Sequence, residues 1–203
     1  SSSVSRVTRD RTVVVGTVSR AEPVKDLATL VAGFSAAYGQ DPRLRLLVIG
    51  GGSLEPDLRT QVQALGIEAV THLLGYRNDV AELLQAMDVF VMPSRREGLS
   101  LGLIEAGASG LPLLGSQVGG IPEAIAQGVS GWLFPPGDVA TLTGHLLKLV
   151  TDPVLRATMG AAAQADVQAR HTVQAQASQL LDLYETQLHA PHAPVSPLQS
   201  WGM

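Results

Sequence analysis

The sequence predicts an α/β fold: a doubly wound parallel sheet of about six strands, with the C-terminal helices packed back over it. Short apolar runs alternate with helix-length amphipathic segments between residues 12 and 134. Several runs are apolar at every position (residues 13–15, 46–49 and 89–92), which is typical of parallel strands that are covered on both faces. After residue 134 the pattern becomes helical, so the sheet comes first and further helices follow it.

The same pattern gives the elements in order. We predict strands at residues 12–18, 44–49, 70–74, 88–92, 112–115 and 131–134, with helices between them at 24–38, 55–65, 79–86, 101–109 and 122–127. The closing helices are predicted at residues 139–150, 153–168 and 173–188. Two of them have good start signals, namely Asp138 as an N-cap and Asp152 followed by Pro153 at the first helical position.

The chain is predicted to form one domain over residues 11–189. Residues 1–10 are interpreted as an N-terminal tail and residues 190–203 as a disordered C-terminal tail, because the latter contains three prolines and no hydrophobic period. The sequence shows no internal repeat of the length that a solenoid requires.

Composition excludes several classes of protein. The 203 residues are 45% apolar and 16% charged, which indicates a well-buried core rather than a disordered chain. Cysteine is absent, so disulfides, thiol chemistry and zinc sites built on cysteine are excluded. The net charge of −4 argues against general nucleic-acid binding. With no apolar run long enough to span a bilayer and no signal-peptide pattern at the start, we expect a soluble, cytoplasmic protein.

In open parallel sheets, ligands bind beyond the carboxyl ends of the strands, so the residues after each strand carry the functional information. Arg20 and Lys25 follow the first strand, and two cations there suit a diphosphate, although a solvated loop is the alternative. Residues 50–52 are three glycines after the second strand. They resemble a dinucleotide fingerprint only loosely, and a tight turn or a close backbone approach explains them better.

The loop after the fourth strand carries the densest signal. Ser100 is a candidate N-cap, and the free amides of such a helix start form an anion site. Glu97 precedes this helix and Glu105 lies within it, and a carboxylate can accept hydrogen bonds from the vicinal hydroxyls of a sugar. The alternatives are a solvated loop acid for Glu97 and an acid favourably near a helix start for Glu105. We favour the ligand interpretation because Glu105 is a lone acid in an otherwise apolar helix.

A motif in this region resembles that of a known family. It runs P-S-x-x-E-G-x-S-x4-E-A from Pro93 to Ala106, and further matches follow at Gly110-x-Pro112, Gly119-Gly120-x-Pro122-Glu123 and Gly128-x-x-Gly131. The chain resembles the second, nucleotide-sugar-binding domain of the family-four retaining glycosyltransferases of GT-B fold (group 1). The resemblance covers residues 11–190, and it implies that the sheet is the Rossmann-like half of a GT-B fold.

The resemblance implies a catalytic role for three residues. Arg20 and Lys25 match the diphosphate-binding arginine and lysine of the family and would neutralise the leaving group. Glu97 would bind or steer the transferred sugar. Asp26 departs from the pattern, because glycine is common after the lysine, and Gly107 interrupts the usual Glu-Ala-Met helix. Ser19 and Ala21 also replace the usual flanks of the arginine, but no departure removes a charged group.

The resemblance also implies a set of donor-binding residues. Glu105 would bind the ribose hydroxyls of the nucleotide, and the turn after the third strand would border the base. Backbone amides after Glu97 would bind the sugar and the distal phosphate. The remaining donor-binding residues are Gly98, Leu99, Ser100 and Leu101 for the sugar and phosphate, and Tyr76 and Arg77 for the base.

The expected partners follow from the resemblance as well. The donor is a nucleotide diphosphate sugar, and an N-terminal domain of the same enzyme, absent from this sequence, would bind the acceptor and provide any peripheral membrane association. We therefore expect this chain to bind donor in the high-micromolar range or weaker and to transfer nothing by itself. Neither a cofactor nor a protein-bound metal is expected, because the histidines are scattered and cations already neutralise the diphosphate.

Two alternatives come from other classes of function. In a two-carboxylate glycoside hydrolase, Glu97 and Glu105 would be the acid and the base, and Arg20 and Lys25 would have no role. In a nucleotide-binding module without catalysis, the same residues would bind the donor and no transfer would follow. The sequence does not select the base, the sugar or the acceptor.

Overall fold

The computed structural model describes residues 12–98 and 100–170 of the chain. Six strands alternate with helices, as the apolar runs predict. The strands are β1 Val13–Val18, β2 Leu44–Ile49, β3 Thr71–Leu73, β4 Val89–Met92, β5 Leu113–Ser116 and β6 Gly131–Phe134. The helices are α1 Leu27–Tyr38, α2 Glu55–Ala64, α3 Val80–Gln85, α4 Leu101–Ala108, α5 Ile121–Ala124, α6 Val139–Thr151 and α7 Pro153–Arg170.

All six strands belong to one parallel sheet with the order β3-β2-β1-β4-β5-β6. The predicted doubly wound sheet is therefore confirmed. The longest ladder pairs β1 with β2, from Val13 opposite Leu44 to Val18 opposite Ile49. Gly16 in β1 has no room for a side chain, because a Cβ there would lie 2.2 Å from the sulfur of Met87.

Helices cover both faces of the sheet and bury two apolar layers. Successive side chains of a strand point to opposite faces. Val13 and Val15 accordingly pack in the layer under α1 and α6, whereas Val14 and Val18 border the opposite layer. Helix α7 contributes Met159 to the first layer and Ala163 to the second, so of the predicted closing helices the two that the structure describes, α6 and α7, pack against the apolar layers of the sheet. The first layer also contains Leu30, Phe34, Leu142 and Leu146, and the second Phe90, Leu103 and Ile121.

Three predicted elements have different bounds in the structure, and a local conformation accounts for each. The predicted helix 24–38 is interrupted, because Pro23–Lys25 form a 3-10 turn and Asp26 then adopts a left-handed conformation with φ 47°. The predicted strand 70–74 is shortened to β3 by a second 3-10 turn, Glu68–Val70, that precedes it. The predicted helix 122–127 begins one residue earlier and ends at Ala124, because Ile125 is extended.

Both predicted helix starts that follow the last strand in sequence are confirmed. The Asp138 carboxylate accepts a hydrogen bond from the amide of Thr141 at 3.0 Å, and the hydrogen bonds from Thr141 lower the pKa of Asp138. The Asp152 carboxylate accepts one from the amide of Leu155 at 2.9 Å. Each aspartate thus satisfies an amide at the start of its helix.

The chain divides into two units, residues 1–168 and residues 169–203. Of the second unit, the structure describes Ala169 and Arg170, the last residues of α7. The predicted helix 173–188, both predicted tails and the domain boundary at residue 189 lie outside the described residues. Across the part of the chain that is described, every helix is too short or too polar to cross a bilayer.

Candidate functional site

The strand order places a crevice beyond the carboxyl ends of β1 and β4. From β1 the chain proceeds through β2 to the edge strand β3, then crosses to β4 and proceeds outward to β6. The connections therefore leave β1 and β4, which are paired with each other, in opposite directions. Ligands of doubly wound sheets bind at this reversal point. The loops after β1 and β4 carry Lys25 and Glu97, the residues that the sequence analysis singled out.

Lys25 and Glu97 form an ion pair across this crevice. The Lys25 ammonium lies 2.6 Å from Oε2 of Glu97, and the two side chains are 18% and 10% exposed. The Ser94 hydroxyl donates a second hydrogen bond to the same oxygen at 2.9 Å. The two residues are 72 positions apart in sequence, so only the pairing of β1 with β4 brings them together.

The loop after β5 supports Glu97 through backbone contacts. The amide of Gly120 donates to the carbonyl of Glu97 at 3.2 Å. Gly119 has φ 53°, and a Cβ on it would lie 1.7 Å from the same carbonyl oxygen. Glycine is therefore required at position 119 both by its backbone conformation and by its neighbour.

Helix α4 begins beside this pair. The buried Ser100 is its N-cap, as predicted, and its side chain accepts a hydrogen bond from the amide of Leu103 at 3.4 Å. This leaves the amides of Leu101 and Gly102 outside the hydrogen-bond ladder of the helix. A Cβ on Gly102 would lie 3.0 Å from the carbonyl oxygen of Val18, so the first turn of α4 packs against the carboxyl end of β1.

Two other residues predicted around this helix start, Gly98 and Leu101, are at the surface. Gly98 is exposed, and Leu101 is 68% exposed although it is apolar. Together with the Ser100 cap, Gly98 and Leu101 form an open rim beside Glu97 rather than an enclosed pocket. The predicted site residue Leu99 lies outside the described residues.

Glu105 lies in the second turn of α4 and is exposed. A lone acid in an apolar helix is expected to need a partner or a ligand. That expectation is wrong for Glu105, because an exposed carboxylate is solvated and needs neither. Its assignment to the ribose hydroxyls depends on the family resemblance alone.

The glycines after β2 bring two loops into backbone contact, as the sequence analysis favoured. Gly50 has φ 120°, and a Cβ on it would lie 2.2 Å from the carbonyl oxygen of Ser19. A Cβ on Gly52 would lie 2.5 Å from the carbonyl oxygen of Ala21. The amide of Ala21 donates a hydrogen bond to the carbonyl of Gly51 at 3.0 Å. The loop that carries the exposed Arg20 is thereby fixed at the carboxyl end of β1.

Tyr76 and Arg77 lie in the loop after β3. The ring of Tyr76 is 74% exposed and lies over the backbone of Gly51, 2.7 Å from the position of a Cβ there. Arg77 donates two hydrogen bonds to Asp79, at 2.8 and 2.5 Å, and these lower the pKa of Asp79. Tyr76 therefore faces the neighbouring loop, whereas the Arg77 guanidinium is engaged within its own loop.

Two residues of the crevice were not predicted. The Asp26 carboxylate is buried, accepts a hydrogen bond from the Thr29 hydroxyl at 2.9 Å, and lies 3.0 Å from Nε of Arg95. Arg95 belongs to the β4–α4 loop, so this is a second ion pair between the loops that Lys25 and Glu97 join. The signal in the sequence was the departure at Asp26, where the resembled family commonly has glycine.

Among the described residues, no group of three or more histidine, aspartate or glutamate side chains is placed to hold a metal ion. The charged groups of the crevice are instead paired with one another, as the Lys25–Glu97 and Asp26–Arg95 contacts show.

Comparison with known proteins agrees with this architecture. The family described as "Glycosyl transferases group 1" matches residues 3–166. A curated relative from Corynebacterium glutamicum, a GDP-mannose-dependent monoacylated alpha-(1-6)-phosphatidylinositol monomannoside mannosyltransferase, is 30% identical over 187 residues. The match covers 88% of this chain and 48% of that protein, so the chain spans less than half of the relative's length.

Two solved structures have the same fold. Anabaena Alr3699/HepE in complex with UDP and glucose is 25% identical, with a TM-score of 0.78, over 90% of this chain and 50% of that one. The C-terminal domain of a group 1 family protein, LpcC from Francisella tularensis, has a TM-score of 0.75 at 21% identity. It is matched over 83% of this chain and 91% of its own length, so the likeness covers nearly all of that C-terminal domain.

Proposed function

The chain belongs to the group 1 glycosyl transferases, and we propose on this basis that it is the donor-binding domain of a retaining glycosyltransferase. The donor would be a nucleotide diphosphate sugar. The acceptor would be bound by an N-terminal domain of the same enzyme. The Rossmann-like sheet is one half of a GT-B fold, and in this proposal the reaction takes place at the crevice beyond β1 and β4.

The observation that carries the proposal is the Lys25–Glu97 pair at the reversal point of the sheet. A cation and a carboxylate side by side suit a ligand that has an anionic part and a hydroxylated part. The diphosphate would bind to the ammonium of Lys25, and the sugar hydroxyls would donate hydrogen bonds to the carboxylate of Glu97. Arg20 lies on the same loop as Lys25 and would provide a second cation for the diphosphate.

The start of α4 complements these side chains. The amides of Leu101 and Gly102, outside the helical ladder, would donate to the distal phosphate or the sugar, as helix starts do for anions. Gly98, Leu99 and Ser100 belong to the same proposed subsite. Glu105 would accept from the ribose hydroxyls.

The remaining part of the donor would lie towards β2 and β3. The exposed Tyr76 ring over Gly51 would border the base, with Arg77 beside it.

The proposed chemistry is electrostatic. The bond between the anomeric carbon and the diphosphate oxygen breaks, the oxygen of an acceptor hydroxyl bonds to the same carbon on the same face, and the proton of that hydroxyl passes to the departing diphosphate oxygen. Negative charge develops on the departing diphosphate, where Lys25, Arg20 and the start of α4 would stabilise it. This arrangement would neutralise the leaving group with protein cations, so the proposal includes no metal ion or other cofactor.

Neither alternative function gains from the geometry. A hydrolase with Glu97 and Glu105 as acid and base needs an acid in an apolar pocket, whereas Glu105 is exposed and Glu97 holds Lys25. A binding module without catalysis would use the same crevice, and turnover in an enzyme that contains this chain separates it from the transferase.

Ligand-observed NMR on this chain tests the proposal. The panel is UDP, GDP, ADP and their common sugars, because the relative described as GDP-mannose-dependent and the structure solved with UDP differ in base. We expect one base to be preferred, with a dissociation constant in the high-micromolar range, and Lys25→Ala to reduce the preference for diphosphate over nucleoside. No binding by any member of the panel would contradict the proposal. Sub-micromolar binding would contradict the view that one wall of the site lies in the other domain.

A further inference from the structure

The residue after Lys25 has a conformation that aspartate rarely adopts. Among the described residues, Asp26 is the one non-glycine with a positive φ, at 47°. A left-handed conformation is unfavourable for a residue with a Cβ, and glycine would adopt it freely. Contacts of the Asp26 side chain must therefore compensate for its backbone.

Those contacts connect two loops. The Asp26 side chain is 7% exposed and lies 3.0 Å from Nε of Arg95, while the Thr29 hydroxyl donates to the same carboxylate oxygen at 2.9 Å. The amide of Arg95 donates to the carbonyl of Val24 at 2.8 Å. Val24 and Asp26 flank Lys25, and Arg95 lies two residues before Glu97. The contacts of Arg95 therefore enclose the segment that carries the Lys25 ammonium.

We propose that Asp26 and Arg95 are positioning residues whose ion pair holds the β1–α1 loop against the β4–α4 loop and so places Lys25 beside Glu97. The inference rests on the proposed function, in which Lys25 binds the diphosphate of the donor. Neither positioning residue touches the donor in this scheme. Arg95 contacts both neighbours of Lys25, the Val24 carbonyl through its amide and the Asp26 carboxylate through its guanidinium, and Asp26 provides the buried anion that fixes the guanidinium.

The proposal predicts which substitutions are tolerated. Arg95→Gln leaves the Asp26 carboxylate buried without its cation, which is a costly arrangement. Replacing Asp26 by glycine as well removes that carboxylate and suits the positive φ. The double variant Asp26→Gly with Arg95→Gln is therefore expected to be more stable than Arg95→Gln alone, although the ion pair between the two loops is absent from both.

Nucleotide binding gives the first test, with whichever of UDP or GDP this chain prefers. We expect Arg95→Gln to weaken binding of the nucleoside diphosphate by about tenfold, equivalent to about 1.4 kcal/mol, and to leave binding of the nucleoside without phosphates unchanged. The double variant should show a similar loss, because it also lacks the ion pair between the two loops. Arg96→Gln, an equal charge change at the exposed neighbour, is the matched control and should change binding little.

The Lys25→Ala background separates positioning from direct contact. If Arg95 acts through Lys25, Arg95→Gln has no further effect there. A loss that persists in this background would overturn the proposal, because Arg95 would then touch the ligand itself. An equal loss for nucleoside and nucleoside diphosphate would also overturn it.

A second test needs no nucleotide, so it remains decisive even if the proposed function fails. The coupling between Lys25→Met and Glu97→Gln is measured by urea unfolding as a double-mutant cycle, once with Arg95 present and once with Arg95→Gln. We expect the coupling factor in the folded-to-unfolded ratio to fall towards one when Arg95 is replaced. An undiminished coupling would show that Lys25 finds Glu97 without the Asp26–Arg95 pair, which would overturn the proposal.

Discussion

At the scale of single residues, the crevice is built from charges that neutralise one another in pairs. Two ion pairs, Lys25–Glu97 and Asp26–Arg95, join the same two loops, and each loop provides one cation and one anion. Three of these four side chains are largely buried, and Arg95 is 60% exposed. Substitution of one partner therefore acts on two loops at once, and the effect depends on which charge remains.

Lys25→Ala should weaken nucleoside diphosphate binding by about tenfold to a hundredfold, because a hydrogen bond to a charged group contributes about 1.5–3 kcal/mol. Isothermal titration of this chain with UDP and GDP measures it. Lys148→Ala is the matched control, since Lys148 belongs to α6 and its ammonium lies over the ring of Trp132 in β6, outside the crevice. Equal affinity of the Lys25→Ala variant and the parent chain would remove Lys25 from the site.

Glu105→Ala should lower the preference for a ribonucleotide over its 2′-deoxy analogue. The exposed carboxylate gains from hydroxyl donors only while a ribose is bound, so the deoxy compound should lose much less affinity. Competition between UDP and deoxy-UDP, or the matching guanine pair, in ligand-observed NMR gives the ratio. If the ratio does not change, the ribose assignment is wrong.

At the scale of elements, loops carry the site and glycines decide how closely those loops approach. Gly119 and Gly128 both have positive φ, at 53° and 76°. A Cβ would meet the Glu97 carbonyl at Gly119 and nothing within 4 Å at Gly128. The two positions therefore separate backbone conformation from contact with the site.

Alanine at either position should destabilise the fold by about 1–2 kcal/mol, since each residue is left-handed. Gly119→Ala should cost more and should also weaken nucleotide binding, because it displaces the loop that supports Glu97. Gly128→Ala should leave binding unchanged. Urea unfolding together with nucleotide titration gives both quantities, and equal losses for the two variants would contradict this account.

Helix α6 introduces a pH dependence through His145. Its ring stacks on Trp132 at 5.0 Å, and burial lowers the pKa of His145 below its ordinary value of 6.5, with a further lowering from Lys148. A hydrogen bond to the Leu133 carbonyl and the charge of Asp138 act in the opposite direction. The unfolded chain therefore binds more protons than the folded chain between the lowered pKa and 6.5.

The stability that depends on the neutral form of His145 should be fully present above about pH 6.5 and should be lost as the pH falls through the lowered pKa of His145. His145→Gln keeps a donor for the Leu133 carbonyl and should flatten the dependence of the unfolding free energy between pH 5 and about 6.5. Urea unfolding of both proteins from pH 5 to about 8 measures the difference, with the values near pH 8 as the reference. A variant that is as pH-sensitive as the parent would exclude His145 as the cause.

The sequence predicts the positions of the strands better than it predicts the conformations and contacts of the loops. Apolar runs such as residues 46–49 locate the buried strands because a strand that is covered on both faces is apolar at successive positions. The left-handed Asp26 could not be predicted, since its ion-pair partner Arg95 is 69 positions away in the sequence. Lys25 and Glu97 were each expected in the site, but their contact depends on the order of the strands, which periodicity does not reveal.

At the scale of the whole molecule, α7 unites the two apolar layers. Met159 and Ala163 lie in different layers, and Gly160 between them allows close contact with the loop before β5. A Cβ on Gly160 would lie 2.0 Å from the carbonyl oxygen of Gly110. Gly144 in α6 is a helical glycine with nothing within 4 Å of such a Cβ.

Alanine at these two positions should have opposite effects. Gly144→Ala should stabilise the chain by up to about 1 kcal/mol through helix propensity. Gly160→Ala should destabilise it by about 1–3 kcal/mol, because overpacking separates α7 from the sheet. Thermal denaturation distinguishes them, since about 1 kcal/mol shifts the midpoint by about 2–4 °C in a domain of this size. A rise in the midpoint for Gly160→Ala would contradict the close packing.

The ion pair between Lys25 and Glu97 has a consequence for discrimination among anions. An ammonium that already has a carboxylate 2.6 Å away attracts inorganic phosphate or sulfate weakly, since each must first compete with that carboxylate. A molecule that brings hydroxyl donors for the carboxylate along with its phosphates can satisfy both partners in one event. The crevice would thus discriminate against small inorganic anions and favour a compound in which both chemical features are joined.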